Sequence, residues 1–263
     1  MKTLYIVSVS MGKDSLAMFL GLLEKGYPIN IVIFYDSGME FQAIYHNRDK
    51  VKALCEERKI RFVELHPEST FLYNMFDRKV PYRDGSGYHY GYSWCGGFCR
   101  WATKHKTEAI RKFKKELLAE YQQRYGYTPQ LVDYVGIAAD EPKRVEKERR
   151  ADKVLPLVEW GWTECFCLRY CLDRGWYWLE DSPVTDSGKV ELYEILDRVS
   201  CWCCANKNLK ELYNIYHYLP QYWNRLVALQ ELTDRPFKGY SPKGPVGIME
   251  LEQKFKLKEK TQL

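Results

Sequence analysis

Short apolar runs alternate with longer stretches of helical spacing through the first half of this chain. The runs at 3–9, 29–35, 61–65 and 131–137 are rich in Ile, Val, Leu and Tyr and read as strands, while segments near 15–25, 41–59 and 104–125 repeat their apolar positions with a helical period. Strands that take turns with helices predict an α/β fold built on a doubly wound, mostly parallel sheet. Residues 77–94 carry glycines and tyrosines with no apolar period, and they read as a long loop of the kind that covers a substrate. Beyond Pro183 the character changes. A turn at Asp186-Ser187-Gly188 precedes a helical region that opens at Asn208 with Glu211 three residues on, the spacing of a capping box. A boundary near 180 therefore separates an α/β domain, 1–180, from a small helical C-terminal subdomain, 181–263. Residues 250–260 read as a solvated amphipathic helix or a loose tail, and no internal repeat is visible.

Composition narrows the class. A chain of 263 residues, 46% of them hydrophobic, can bury one sizeable core. It has no apolar stretch of about 18 residues to span a membrane, and its first residues run into a strand with no basic and apolar leader, so the expected location is cytoplasmic. The net charge of +5 suits anionic ligands of any size without pointing to nucleic acid. With nine cysteines in such a chain, reduced thiols, metal ligation or catalysis are expected rather than a disulfide framework.

The first run ends in Ser8-Val9-Ser10-Met11-Gly12-Lys13-Asp14-Ser15, and helical spacing resumes near Ser15. Hydroxyls of Ser8, Ser10 and Ser15, the backbone around Met11 and Gly12, and the free N–H groups of a helix start converge on one small volume, where the helix dipole favours an anion. Lys13 adds a positive charge. A Walker A loop needs a second glycine and Lys-Ser/Thr, whereas Gly12 stands alone and Asp14 follows the lysine. The pattern S-x-G-x-D-S after a first strand resembles the PP-loop of the adenine nucleotide alpha-hydrolase superfamily. That resemblance implies a cradle for the pyrophosphate of ATP, or for the sulfate or phosphate of a sulfonucleotide, with Asp14, Lys13 and Asp140 as candidate catalytic groups.

Two further segments follow in order. Asp36-Ser37-Gly38-Met39-Glu40-Phe41, after the second strand, resembles the D-T-G-x-E-F segment of the phosphoadenosine phosphosulfate (PAPS) reductase family; an acid at that strand end can accept hydrogen bonds from a ribose. Gly136-Ile137-Ala138-Ala139-Asp140-Glu141, with Lys143 and Arg144 after it, is similar to the family's G-I-R-x-D-E, with Ala138 in place of the arginine. Leu155-Pro156-Leu157 and Trp160-Gly161-Trp162-Thr163-Glu164 resemble the apolar-Pro-Leu and W-T-E segments that open the next helix, so the likeness extends over residues 3–230.

Cysteines supply the second constellation. Cys95 and Cys99 stand four apart, and Cys201 and Cys204 form a CxxC. Two short-spaced pairs far apart in sequence meet the needs of a four-thiolate site, for Zn²⁺ or for an iron–sulfur cluster alike. Resemblance to adenosine phosphosulfate reductases, and to the sulfur-activating component of DNA phosphorothioation systems, favours a 4Fe-4S cluster over Zn²⁺. Cys203 is then a spare ligand or a free thiol, and Cys55, Cys165, Cys167 and Cys171 read as small core residues. Arg100, Lys104 and Lys106 occupy the family's R-W-C-T-x-x-L-K segment, with Ala102 at its cysteine, and together with Lys143 and Arg144 they are the candidate contacts to an anionic substrate. His46, His66, His89 and His217 show no ligand spacing, and the 21 tyrosines and eight tryptophans are assigned to packing.

The resemblance implies two chemistries on one cradle. In the first, an acceptor attacks the α-phosphorus of ATP and releases pyrophosphate, with Mg²⁺ bridging phosphates. In the second, a sulfonucleotide is reduced by a cysteine in an E-C-G-x-H segment. No cysteine follows Cys204 in this sequence, which weighs against the reductase route. An adenylating or sulfur-transfer enzyme is the leading expectation, with tRNA, DNA or a small molecule as acceptor and a partner protein as a source of sulfur or electrons. The alternative is a nucleotide-sensing or structural partner in a nucleic-acid modification or defence complex.

Overall fold

The computed structural model describes residues 2–97, 99 and 101–261. The chain divides into two compact units: Met1–Asp36, Gln42–His66 and Thr107–Trp178 make up one, and Ser37–Phe41, Pro67–Lys106 and Leu179–Leu263 the other. The last crossing lies between Trp178 and Leu179, and the second unit also takes in the segments 37–41 and 67–106.

The first unit is built on a five-stranded sheet in which every pairing is parallel. Strands β1 (Thr3–Ser8), β2 (Ile31–Tyr35) and β3 (Arg61–Leu65) are joined by Gln130–Tyr134 and Lys153–Val154, in the order β3, β2, β1, Gln130–Tyr134, Lys153–Val154. All five residues of β2 are buried, as its unbroken apolar run demands of a strand covered on both faces. Leu4, Ile6, Ile31 and Ile33 pack on one face with Ile110, Phe113 and Leu117 of helix α3 (Ala102–Tyr125). Helix α1 (Lys13–Glu24) buries Leu16, Phe19 and Leu22 completely, and α2 (Gln42–Glu57) packs alongside β3. This is the expected doubly wound α/β sheet. The pair Lys153–Val154 escaped the sequence because two residues cannot display an alternation. Helix α1 begins two residues before the expected Ser15, because extended Gly12 ends the turn and its carbonyl already accepts from the Leu16 N–H at 3.0 Å.

This strand order has a functional consequence. From β1 the chain winds outward through β2 and β3, then returns to pair Gln130–Tyr134 with the other edge of β1. Order reverses at β1, and in open α/β sheets the crevice beyond the carboxyl ends of the strands at such a reversal is where ligands bind.

The second unit carries the C-terminal helices and three two-stranded ribbons. Helices α8 (Leu209–Tyr218), α9 (Pro220–Glu231) and α10 (Ile248–Thr261) gather Leu212, Ile215, Trp223, Leu226, Ile248, Leu251 and Phe255 into a core. The capping box at the start of α8 is formed: Asn208 Oδ1 accepts from the Glu211 N–H at 2.9 Å and Glu211 Oε2 from the Asn208 N–H at 2.9 Å. Residues 250–260 are helical, within α10. The segment expected as a loop at 77–94 contains a ribbon, Lys79–Pro81 against Tyr88–Tyr90, whose three-residue strands are too short and too exposed to show an apolar period. Gly91 closes it at φ +67°, where a Cβ would lie 1.9 Å from the Met75 carbonyl oxygen. No helix among the described residues is long and apolar enough to cross a membrane.

Candidate functional site: a nucleotide cradle and a thiolate centre

In the first unit, the turn after β1 is shaped by its own hydroxyls. Ser15 Oγ receives the Ser10 N–H at 3.1 Å, lies 3.1 Å from Ser10 Oγ and donates to the Gly12 carbonyl at 3.1 Å, so one side chain ties both ends of the turn. Ser8 is half-buried at the end of β1. Met11 takes φ +62°, a left-handed conformation that β-carbon-bearing residues enter at a cost of about 1–3 kcal/mol, and its side chain is fully buried. The indole N–H of buried Trp178 holds the Met11 carbonyl at 2.7 Å.

Charge gathers at the start of α1. The Lys13 ammonium, on a buried side chain, bonds Asp14 at 2.8 Å and Glu164 at 2.6 Å. Burial opposes the charge of Lys13, but the hydrogen bonds and charges of those two carboxylates outweigh it and hold its pKa above the ordinary value. Burial pushes the Asp14 carboxyl up, with Glu164 and Glu141 adding to the effect and Lys13 opposing it. Glu164 opens α6 (Glu164–Leu172), which is capped by Thr163 Oγ1 accepting from the Phe166 N–H at 3.2 Å.

Gly136, just after Gln130–Tyr134, forms the facing wall. A Cβ there would stand 2.9 Å from Ser15 Cα, so the first turn of α1 can approach only because residue 136 is glycine. Asp140 Oδ1 accepts from the Glu164 N–H at 2.9 Å, and Glu141 binds Arg144 at 2.6 Å through both oxygens at the start of α4 (Pro142–Glu148). Ala138 is fully buried, and Lys143 and Arg144 are exposed. Asp36, beyond the end of β2, accepts from Tyr45 Oη at 2.8 Å. Together with Glu64 and His66 it offers three potential cation ligands within 4.8 Å of one another, though Arg48 already occupies Glu64 Oε1 at 3.2 Å.

Ser10, Met11, Gly12, Lys13, Asp14, Ser15, Gly136 and Asp140 thus fall in one neighbourhood of the first unit. Glu164 and Trp178 belong to it as well, although the motif reading did not select them. Glu164 had a signal, because it ends the quoted W-T-E segment. Trp178 had none.

Cys95, Cys99, Cys201, Cys203 and Cys204 belong to the second unit. Gly97, inside the Cys95–Cys99 turn, and Asn206, two residues past Cys204, exchange two hydrogen bonds: the Gly97 N–H donates to Asn206 Oδ1 at 2.6 Å, and Asn206 Nδ2 donates to the Gly97 carbonyl at 2.8 Å. The two turns are thereby brought together. Cys99 Sγ accepts from the Ala102 N–H at 3.3 Å. Cys201 Sγ lies 3.5 Å from both Glu40 Oε1 and Ser37 Oγ, and Ser37 donates to that same carboxylate at 2.6 Å. The D-S-G-M-E-F segment is divided, with Asp36 in the first unit and Ser37–Phe41 packed on the cysteine turn. Burial, and then the Glu40 charge, pushes the Cys201 thiol well above its ordinary value; burial and Cys204 do the same to Cys203, which is 3% exposed. Lys106 is half-buried, its ammonium subject to the charges of Glu40 and Cys201, while exposed Lys104 has its N–H on the Cys99 carbonyl at 3.4 Å. Arg100 lies outside the described residues.

This donor set fits a thiolate-held metal centre: four sulfurs on two adjacent turns, an N–H directed at one of them and ammonium groups around them. Among the described residues no three of these sulfurs lie within 4.8 Å of one another. Cys167 and Cys171 are fully buried, the latter donating to the Lys13 carbonyl at 3.6 Å, and Cys55 is buried on α2. Cys165 is exposed, in contrast to its expected place in the core.

Comparison with known proteins agrees with the first unit. An uncharacterized protein of Methanocaldococcus jannaschii is 26% identical over 233 residues, 84% of this chain, and the chain spans 40% of that protein's length. The U34-tRNA thiolase NcsA from Methanococcus maripaludis, solved with its 4Fe-4S cluster, aligns at a TM-score of 0.36 and 17% identity over 66% of this chain and 58% of its own, a likeness too slight to build on. The model of the phosphoadenosine phosphosulfate reductase domain matches residues 4–173, from β1 through the Ser10–Ser15 turn, Gly136 and Asp140 to the end of α6, and this chain belongs to that family.

Proposed function

We propose that this protein is an ATP-using enzyme that activates an acceptor for sulfur transfer, working with an iron–sulfur centre. The observation that carries the reading is the turn at the reversal of strand order, where the Ser10, Gly12 and Ser15 groups face Gly136 with no room for a β-carbon. The backbone N–H groups at the start of α1 then hold the phosphates, helped by the dipole. Lys13 is the mobile charge: bound phosphate competes with Asp14 and Glu164 for its ammonium. Those carboxylates, left with negative charge in excess, take the Mg²⁺ that arrives with ATP. Asp36 holds the ribose, while Glu141, Lys143 and Arg144 border the site. The acceptor oxygen attacks the α-phosphorus, the bond to the bridging oxygen breaks, and pyrophosphate leaves with the electron pair. Cys95, Cys99, Cys201 and Cys204 hold the cluster, whose chemistry when bound is to carry electrons or sulfide. Lys104, Lys106 and Arg100 contact the anionic acceptor.

Pyrophosphate release tests the first part. ATP with tRNA, DNA or small anionic acceptors should yield pyrophosphate with at least one of them. ATP binding without turnover for any acceptor class would make the chain a nucleotide-sensing partner instead.

A further inference from the structure

Lys207 is 2% exposed, and among the described residues its ammonium meets a hydroxyl and a ring: Ser200 Oγ at 3.1 Å and the Phe41 ring at 5.3 Å. Among the described residues no carboxylate lies within ion-pair distance of it. Glu211, the acid whose charge reaches it, has both oxygens engaged, Oε1 by the Arg198 N–H at 3.3 Å and Oε2 by the Asn208 N–H at 2.9 Å. The location of this charge is specific. Lys207 closes the cysteine turn, its N–H on the Cys204 carbonyl at 3.2 Å, and Ser200 directly precedes Cys201. Lys238 supports the same turn from behind, donating to the Ala205 carbonyl at 2.6 Å and to that of Lys207. A buried ammonium without an anion is costly. Neutral thiols do not offset it, whereas an anionic thiolate-held cluster does. Burial lowers the pKa of Lys207, and the opposing influences are Glu211 together with Cys204, Cys201 and Cys203.

We propose that Lys207 is the fixed counter-charge of the thiolate centre, and that its buried ammonium raises the reduction potential of an iron–sulfur cluster held by Cys95, Cys99, Cys201 and Cys204. The inference rests on the iron–sulfur reading of those cysteines. When the cluster accepts one electron its charge becomes more negative by one, and a cation kept in a low-dielectric surrounding stabilises that state over the oxidised one. Lys207 is a positioning and charge-setting residue and forms no bond to iron.

The experiment compares the wild-type chain with Lys207→Gln and Lys207→Arg, each loaded with iron and sulfide without oxygen and titrated with dithionite, reading absorbance near 400 nm and the paramagnetic signal of the reduced cluster. Lys207→Gln should disfavour reduction at least tenfold, 59 mV for a one-electron couple, while Lys207→Arg, which keeps the charge, stays within threefold of wild type. Loading of Lys207→Arg with failure of Lys207→Gln to load also supports a charge requirement. Equal potentials in wild type and Lys207→Gln overturn the proposal, as does equal damage by both substitutions, which would assign Lys207 to packing. A wild-type chain that binds no iron overturns the cluster reading itself and the proposal with it, and is told apart because the failure is already present before any substitution.

Discussion

The Trp178 indole donates to the Met11 carbonyl at 2.7 Å, across 167 positions of sequence and wholly inside the first unit. Met11 is the left-handed residue of the phosphate turn, so its carbonyl direction and the N–H groups after it are set together. Trp178→Phe keeps an aromatic ring but strands that carbonyl in a buried place. The expected cost is about 1–3 kcal/mol of stability, read from urea unfolding, with ATP affinity falling further than in Phe19→Leu, a core change in α1 without a bond to the turn. Equal affinity in the two variants would deny Trp178 its hold on the turn.

Gly136→Ala tests the other wall. The added Cβ would lie 2.9 Å from Ser15 Cα and 3.2 Å from Ser15 N, backbone atoms that cannot rotate away. Overpacking of this kind costs about 1–3 kcal/mol, and here the displaced atoms belong to the N-terminus meant to receive phosphate. Calorimetry should show ATP binding weakened by about tenfold or more, since each 1.4 kcal/mol is a factor of ten. Unchanged affinity would mean that the approach of Gly136 to α1 has no part in binding.

The parallel core was legible because its strands are unbroken apolar runs, and the phosphate turn because hydroxyls and a glycine cluster between a strand and a helix. Asn208 and Glu211 announced the start of α8 by spacing alone. Other relationships lay beyond pattern. The ion pair of Lys13 with Glu164 spans 151 positions and the hydrogen bonds of Gly97 with Asn206 span 109, and nothing local in either partner specifies the other. The division of the D-S-G-M-E-F segment between units is likewise a tertiary fact: it depends on Trp202 donating to the Met39 carbonyl at 3.1 Å. The ribbon at 79–90 hid for a different reason, because Tyr82, Tyr88 and Tyr90 are exposed and its short strands bury no apolar face to read.

Asp14 makes the stability pH-dependent in a defined direction. Burial raises its folded-state pKa above the ordinary 3.8, so between those two values the folded chain keeps a proton that the unfolded chain has released. Its contribution is fully present below 3.8 and is lost as pH rises through the raised value. Urea midpoints measured upward from pH 4 should carry this downward component in the wild type, and Asp14→Asn should remove it. A difference between the two proteins that does not vary with pH would show that Asp14 titrates normally.

Asn206 offers a test of the thiolate centre that leaves every cysteine in place. Its amide makes two hydrogen bonds to Gly97 and so sets the distance between the Cys95–Cys99 turn and the Cys201–Cys204 turn. Asn206→Ala removes both bonds; at roughly 0.5–1.5 kcal/mol each, the loss is too small to unfold the chain but large enough to let the turns separate. Chelation by four ligands depends on holding them together in advance, and outer contacts that orient ligands change metal affinity by about 10–100-fold. Anaerobically purified Asn206→Ala should therefore lose metal to a competing chelator at concentrations that leave the wild type loaded, Cys201→Ser should lose it without a competitor, and Cys171→Ala, altered in the first unit, should retain it. Metal retention in Asn206→Ala equal to wild type would mean that the two turns are held together by something other than this amide pair, and retention in Cys201→Ser would remove Cys201 from the ligand set.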